Sequence, residues 1–146
     1  MAAHRNLPSH KEILTPGNIL WLLCDFTSEI KNKYLLLVSI KNGLLFFIIN
    51  SKINQFKEDN PDLRECQVEL KKVEHPFLHH NSWLDCSKVI REFDATETIR
   101  QVTSHIGKLS GPVSASARKL IRAVVRDSRT LEKRFKDAIL EELSDC

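Results

Sequence analysis

The sequence predicts an α+β fold: a small antiparallel β-barrel with C-terminal helices. Three observations carry this. Ile19–Leu23, Tyr34–Ile40 and Leu44–Ile49 are apolar runs of strand length, following one another at short intervals. Asn42-Gly43 lies between the second and third, the strongest short-range signal for a tight hairpin turn. From Asp94 onward the apolar spacing lengthens to that of a helix.

Taken in order, the first twelve residues read as a frayed tail. The three apolar runs then read as strands buried on both faces, forming a meander that curls around one core. Asn54–Glu65, "NQFKEDNPDLRE", is polar, carries Asn60-Pro61 and reads as a loop. In "CQVELKKV", Val68 and Leu70 alternate with Gln67, Glu69 and Lys71, the pattern of a half-exposed strand. Trp83–Ile90 is a fifth strand. Asp94 and Glu97 make a capping-box-like helix start, with Ile99, Val102 and Ile106 on one face and Gly107 as the stop. "LSGP" breaks the chain. Ser114 or Ser116 opens a long helical pattern through Ala117, Leu120, Ile121, Val124, Leu131, Phe135, Ala138 and Ile139. Ser128 interrupts it and is placed to cap a second helix.

At 146 residues the chain fits one domain with a helical appendage, and it can bury a core without disulfides or metal. The expected division is a barrel over 13–113, including a short helix, and an amphipathic tail over 114–146. A net charge of +3 and a pI near 8.7 permit a nucleic-acid partner without requiring one. The start, "MAAHRNLPSHKEI", has no secretory h-region. Lys41, Asn42 and Gly43 break the longest apolar region into halves too short to span a bilayer. The expectation is a cytoplasmic protein with no membrane partner. Cys24, Cys66, Cys86 and Cys146 form no C-x-x-C pair and read as reduced residues, mostly of the core.

The order of these signals resembles the MazF/PemK-like toxin family. "PGNILWLLCDF" is similar to the family's first strand, entered through a glycine turn at Gly17. "KYLLLVSI" and "LLFFIINSKIN" match its next two strands. "HHNSWLDCSKVIREFD" resembles a later strand, and "HIGKLS" the turn into the last helix. The match spans roughly Pro16 to Leu120. It implies an SH3-like barrel, a homodimer, metal-independent cleavage of single-stranded RNA, no cofactor, and neutralisation by an antitoxin whose disordered tail lies along the dimer groove.

Cleavage of this kind needs a base for the 2′-hydroxyl, a cation for the phosphate and donors that hold it. The family's arginine position holds Lys33, and its threonine position holds Asn50, with Ser51 beside it. A lysine keeps the charge but lacks the bidentate fork of arginine. The resemblance therefore assigns Lys33 to the phosphate, Asn50 and Ser51 to binding it, and Glu29 or a loop histidine to the base. Thr27, Ser28, Lys52, His79 and His80 would line an RNA groove. Asp85 and Ser87 lie nearby in sequence. A solvated strand-start lysine and ordinary strand-end turn residues account equally well for Lys33, Asn50 and Ser51. His75, His79 and His80 sit in "HPFLHH", which reads as an exposed loop. Their spacing fits no zinc motif, and no metal is expected.

In the tail, Arg118, Lys119, Arg122, Arg126, Arg129, Lys133 and Lys136 fall on one arc of about 100° opposite the apolar stripe. Such sidedness suits a phosphate-facing surface, with Arg118, Arg122 and Arg126 as contacts, or a solvated face. The tail would cover the barrel or pair with a second subunit. The alternative to an endoribonuclease is a catalytically inactive relative that binds nucleic acid or protein; an unrelated barrel-containing interaction protein is the third reading.

Overall fold

The computed structural model describes residues 7–144. The chain begins with a capped turn of helix, α1 (His10–Ile13), in which Ser9 and Glu12 satisfy each other's backbone N–H groups. Residues 7–12, expected to fray, are therefore held, because Ile13 is fully buried; residues 1–6 lie outside the described residues. Three strands follow: β1 (Asn18–Cys24), β2 (Lys31–Ser39) and β3 (Leu45–Asn50). They form the expected meander, β2 and β3 being joined through Asn42-Gly43. Gly17 adopts φ +103°, and its N–H donates to Leu37 O at 2.7 Å. The guanidinium of Arg118 lies where a Cβ would stand.

The polar segment read as a loop holds two single-turn helices, α2 (Gln55–Glu58) and α3 (Pro61–Arg64). Asn54 caps the first, accepting from Lys57 N at 2.9 Å, and Pro61 opens the second. The edge strand β4 (Gln67–Leu70) then pairs with β5 (Ser82–Ile90), which crosses to lie beside β3. Next comes α4 (Ala95–Thr103), capped by Asp94. The "LSGP" segment, read as a break, lies within β6 (Lys108–Pro112), the second edge strand, paired with β1. The result is a six-stranded antiparallel sheet in the order β4-β5-β3-β2-β1-β6. Its register slips at Ile19/Leu20, Leu37/Ser39 and Phe46/Ile48. Such irregularities bend strands and curl the sheet.

The meander was expected to enclose one core; the sheet separates two. On one face Leu20, Leu22, Leu35, Leu37 and Phe46 pack with Ile13 of α1 and Val102 of α4. On the other, Ile19, Leu36, Val38, Phe47 and Ile49 pack with Ile121 and Val125 of α5 (Ala115–Asp127) and Ile139 of α6 (Lys133–Glu142). Burial on both faces is why the central strands read as unbroken apolar runs. Each fully buried Leu, Ile or Phe there contributes about 1.5–3 kcal/mol.

Two helix termini depart from the sequence reading. In α4 the buried face is Thr98, Gln101 and Val102, while Ile106 lies beyond the helix and is 39% exposed. Gln101 accepts from Leu23 N at 2.7 Å and so ties the helix to β1. His105, not Gly107, takes the left-handed position, at φ 65°. Gly107 is required for close approach, since a Cβ there would stand 2.6 Å from Trp21 O. In the tail, Ser114 caps α5, but Ser128 ends that helix and bonds Thr130 N and Leu131 N. The second helix starts at Glu132 without a side-chain cap bond. The tail covers the sheet, with Leu131, Ile139 and Leu143 buried in the same core as the strands. Among the described residues no helix is long and apolar enough to cross a membrane.

Candidate nucleic-acid interface

β2 begins and β3 ends at the same end of the sheet. The Leu35↔Ile48 pairing, extended by two residues, sets Lys33 opposite Asn50. Their side chains meet, Lys33 Nζ donating to Asn50 Oδ1 at 2.7 Å. Next to them, β5 pairs Asp85 with Ile48, and α2 delivers Lys57 into an ion pair with Asp85. Lys33, Asn50, Lys57, Asp85 and the exposed Lys88 line one cavity of about 470 Å³, with Thr27 and Glu92 at its walls.

Asp85 is 2% exposed, so its charge must be compensated. It accepts from Lys57 Nζ, from Gln67 Nε2 at 3.0 Å, from Ser87 N at 2.9 Å and from Ser87 Oγ at 2.5 Å. Burial pushes its carboxyl up, but the bonds from Lys57 and Ser87 outweigh this and hold it below the usual carboxylate value. With its lone pairs so engaged, Asp85 anchors Lys57. Lys33 is lowered too, but here the neutral form gains: burial, then the neighbouring charges of Lys31 and Lys57, bring its ammonium below the ordinary lysine value. On β1, burial pushes the Cys24 thiol up to about 11. The cavity thus presents three lysines: Lys57 tied to a carboxylate, Lys33 that gives up its proton more readily than a free lysine, and exposed Lys88.

The other expected residues divide. Thr27 lines the cavity, and its hydroxyl donates to the carbonyl of Glu29. Ser28 and Glu29 are exposed on the β1–β2 loop and lie outside the cavity lining, as does exposed Lys52. Ser51, His79 and His80 surround a smaller cavity of about 130 Å³, joined to the first at Asn50. The histidine segment is not uniformly exposed. His75 is fully buried, accepting from Ser114 N at 3.0 Å through Nε2, while Nδ1 lies 2.9 Å from Lys71 O. Because an N–H can only donate, the Nδ1 proton is the one His75 carries toward Lys71 O. Among the described residues, no three His, Cys, Asp or Glu side chains converge as a metal site would require.

The basic arc of the tail is partly structural. Arg122 donates to Leu140 O at 2.7 Å and Leu143 O at 2.6 Å, and Arg118 to Ser144 O at 2.9 Å. Both cover the C-terminal carbonyls of α6. Arg126 is exposed, with Asp127 at 3.4 Å.

Compared with protein-family models, curated proteins and solved structures, the chain matches none. The site's geometry therefore stands by itself. Lys57 was missed because its segment read as a loop; the Asn54 cap three residues earlier was the available signal. Asp85 had a signal too, a carboxylate inside an apolar strand run.

Proposed function

We propose that the protein is a MazF/PemK-like toxin, a metal-independent endoribonuclease that cuts single-stranded RNA. The carrying observation is the convergence of Lys33, Asn50 and Lys57 in one cavity at the end of a curled antiparallel sheet. An SH3-like barrel closure, a homodimer, an antitoxin partner and a cytoplasmic location belong to the same reading. A phosphodiester in the cavity meets the lysines Lys33, Lys57 and Lys88 and the Asn50 amide, the donors its charge requires.

In the reaction, the 2′-oxygen attacks phosphorus and the P–O5′ bond breaks. The products are a 2′,3′-cyclic phosphate and a 5′-hydroxyl. The unprotonated fraction of Lys33 takes the 2′-hydroxyl proton, whereas its protonated fraction binds the phosphate without cutting, and water at the open mouth supplies a proton to the leaving 5′-oxygen. Lys57, fixed by Asp85, stabilises the extra negative charge at the phosphoryl oxygens. Glu29, the base expected from sequence, lies outside this lining; Lys33 replaces it in the role.

A second reading, an inactive relative that binds RNA, is favoured by one observation. The buried carboxylate of Asp85 is saturated with donors and so cannot act as the base. Incubation with a long single-stranded RNA in EDTA separates the two. Discrete cuts ending in 2′,3′-cyclic phosphate, abolished in Lys33→Ala, support the endoribonuclease. Tight RNA binding without cuts gives the second reading, and absence of both overturns both.

A further inference from the structure

A third cavity, of about 660 Å³, shares Tyr34 with the small one. Its wall is aromatic. Trp21 of β1 and Tyr34 of β2 are cross-strand partners with ring centroids 4.5 Å apart. Both are half-buried, and Lys108 and His105 stand at the rim. Phe77 continues the aromatic row, 5.5 Å from Tyr34, and its carbonyl accepts the Tyr34 hydroxyl at 3.0 Å. Tyr34 lines both this cavity and the small one bearing Ser51, His79 and His80. Asn50 in turn lines the small one and the lysine cavity. Tyr34 follows Lys33 in β2, so the rings and the ammonium project from opposite faces at the strand's start. The small cavity thus stands between the other two, sharing Tyr34 with the aromatic one and Asn50 with the lysine one, at the end of the sheet where β2 begins.

Resting on the RNA reading above, we propose that the Trp21–Tyr34 wall is a base-stacking platform for a single-stranded nucleotide neighbouring the phosphate at Lys33. The chemistry favours a base over an apolar ligand. The volume fits a small-ligand site and the wall offers flat π faces, with cationic Lys108 and the Glu12 carboxylate both on the lining. Stacking tolerates any base, so this platform fixes the path of the strand more than its sequence.

The test uses Trp21 as its own reporter in a full-length chain carrying Trp83→Phe, which removes the other tryptophan and leaves the cavity intact. The probe is a 2′-O-methyl oligonucleotide, which cannot be cleaved, beside an abasic oligonucleotide of equal charge. Quenching of Trp21 by the base-bearing strand alone is the expected result. Trp21→Leu should weaken its binding about 10- to 100-fold with an unchanged salt slope. Binding that depends on Lys33 but leaves Trp21 emission unchanged overturns the platform and keeps the phosphate reading. Loss of all oligonucleotide binding overturns both. Quenching by an acidic, leucine-rich peptide but not by the oligonucleotide gives the cavity to a protein segment and also overturns the proposal.

Discussion

Lys33 is where charge and chemistry separate. Around its ammonium stand Lys31, Lys57 and the Cys24 thiol, with Asp85, Lys88 and Glu92 in the same cavity. Its lowered pKa means that the unprotonated form grows in as pH rises toward a value below the ordinary 10.5. Cleavage should therefore accelerate with pH across the alkaline range and level off once Lys33 is deprotonated. Lys33→Arg keeps a phosphate-binding charge but cannot deprotonate. Its RNA affinity should stay within about threefold, while cleavage falls about 10²–10⁴-fold and the alkaline limb disappears. A pH–rate profile of the two proteins checks this; an unchanged limb in the arginine variant would remove Lys33 from the proton transfer. Nearby, Gly107→Ala forces a Cβ against Trp21 O and should cost about 1–3 kcal/mol by thermal or urea denaturation. His105→Gly relieves a left-handed residue and should raise stability by about 1 kcal/mol.

At the scale of elements, the ends of α2 and α6 decide how the molecule is held. Asp85 ties α2 to β5 through Lys57. Because its folded pKa lies below 3.8, the stability it adds is present above that value and is lost as pH falls through the folded value. Asp85→Asn should lower stability by about 1–3 kcal/mol near neutrality, with the gap to the wild type closing at lower pH. Denaturant titrations from pH 2 to 7 measure that gap. Arg122 bonds the last carbonyls of α6, so Arg122→Met should loosen that helix by about 1–3 kcal/mol while leaving RNA affinity within about twofold. A large affinity loss without destabilisation would instead restore the basic arc as a phosphate surface. These elements also show what was legible in the sequence. The double-faced burial of β1 to β3 made them readable as apolar runs, and Ser114 and Asp94 announced their helices. β6 was hidden: an edge strand of Lys108–Pro112 carries Gly111 and Pro112, residues that normally mark turns. The arginines of α5 escaped the helical projection for a different reason. A wheel shows which residues share a side, but not that the carbonyls of α6 arrive on that side.

For the whole molecule, the two halves of the candidate site come from segments far apart in the chain. Lys33 and Asn50 were singled out in the sequence only by a resemblance that the comparisons leave without a match, whereas Lys57 and Asp85 join them because β5 inserts beside β3. Trp21, Tyr34 and Phe77 meet for the same kind of reason, through strand pairing and a packed loop. A net charge of +3 is too small to hold RNA by long-range attraction alone, so the contacts in the cavity must carry the binding. The most direct measurement is the salt dependence of affinity for a non-cleavable 2′-O-methyl oligonucleotide in EDTA, comparing wild type with Lys33→Ala. The account predicts that log Kd against log salt flattens by about 0.7 in the variant, one lost phosphate contact on a single strand. An identical slope in a folded variant would contradict it, because Lys33 would then touch no phosphate.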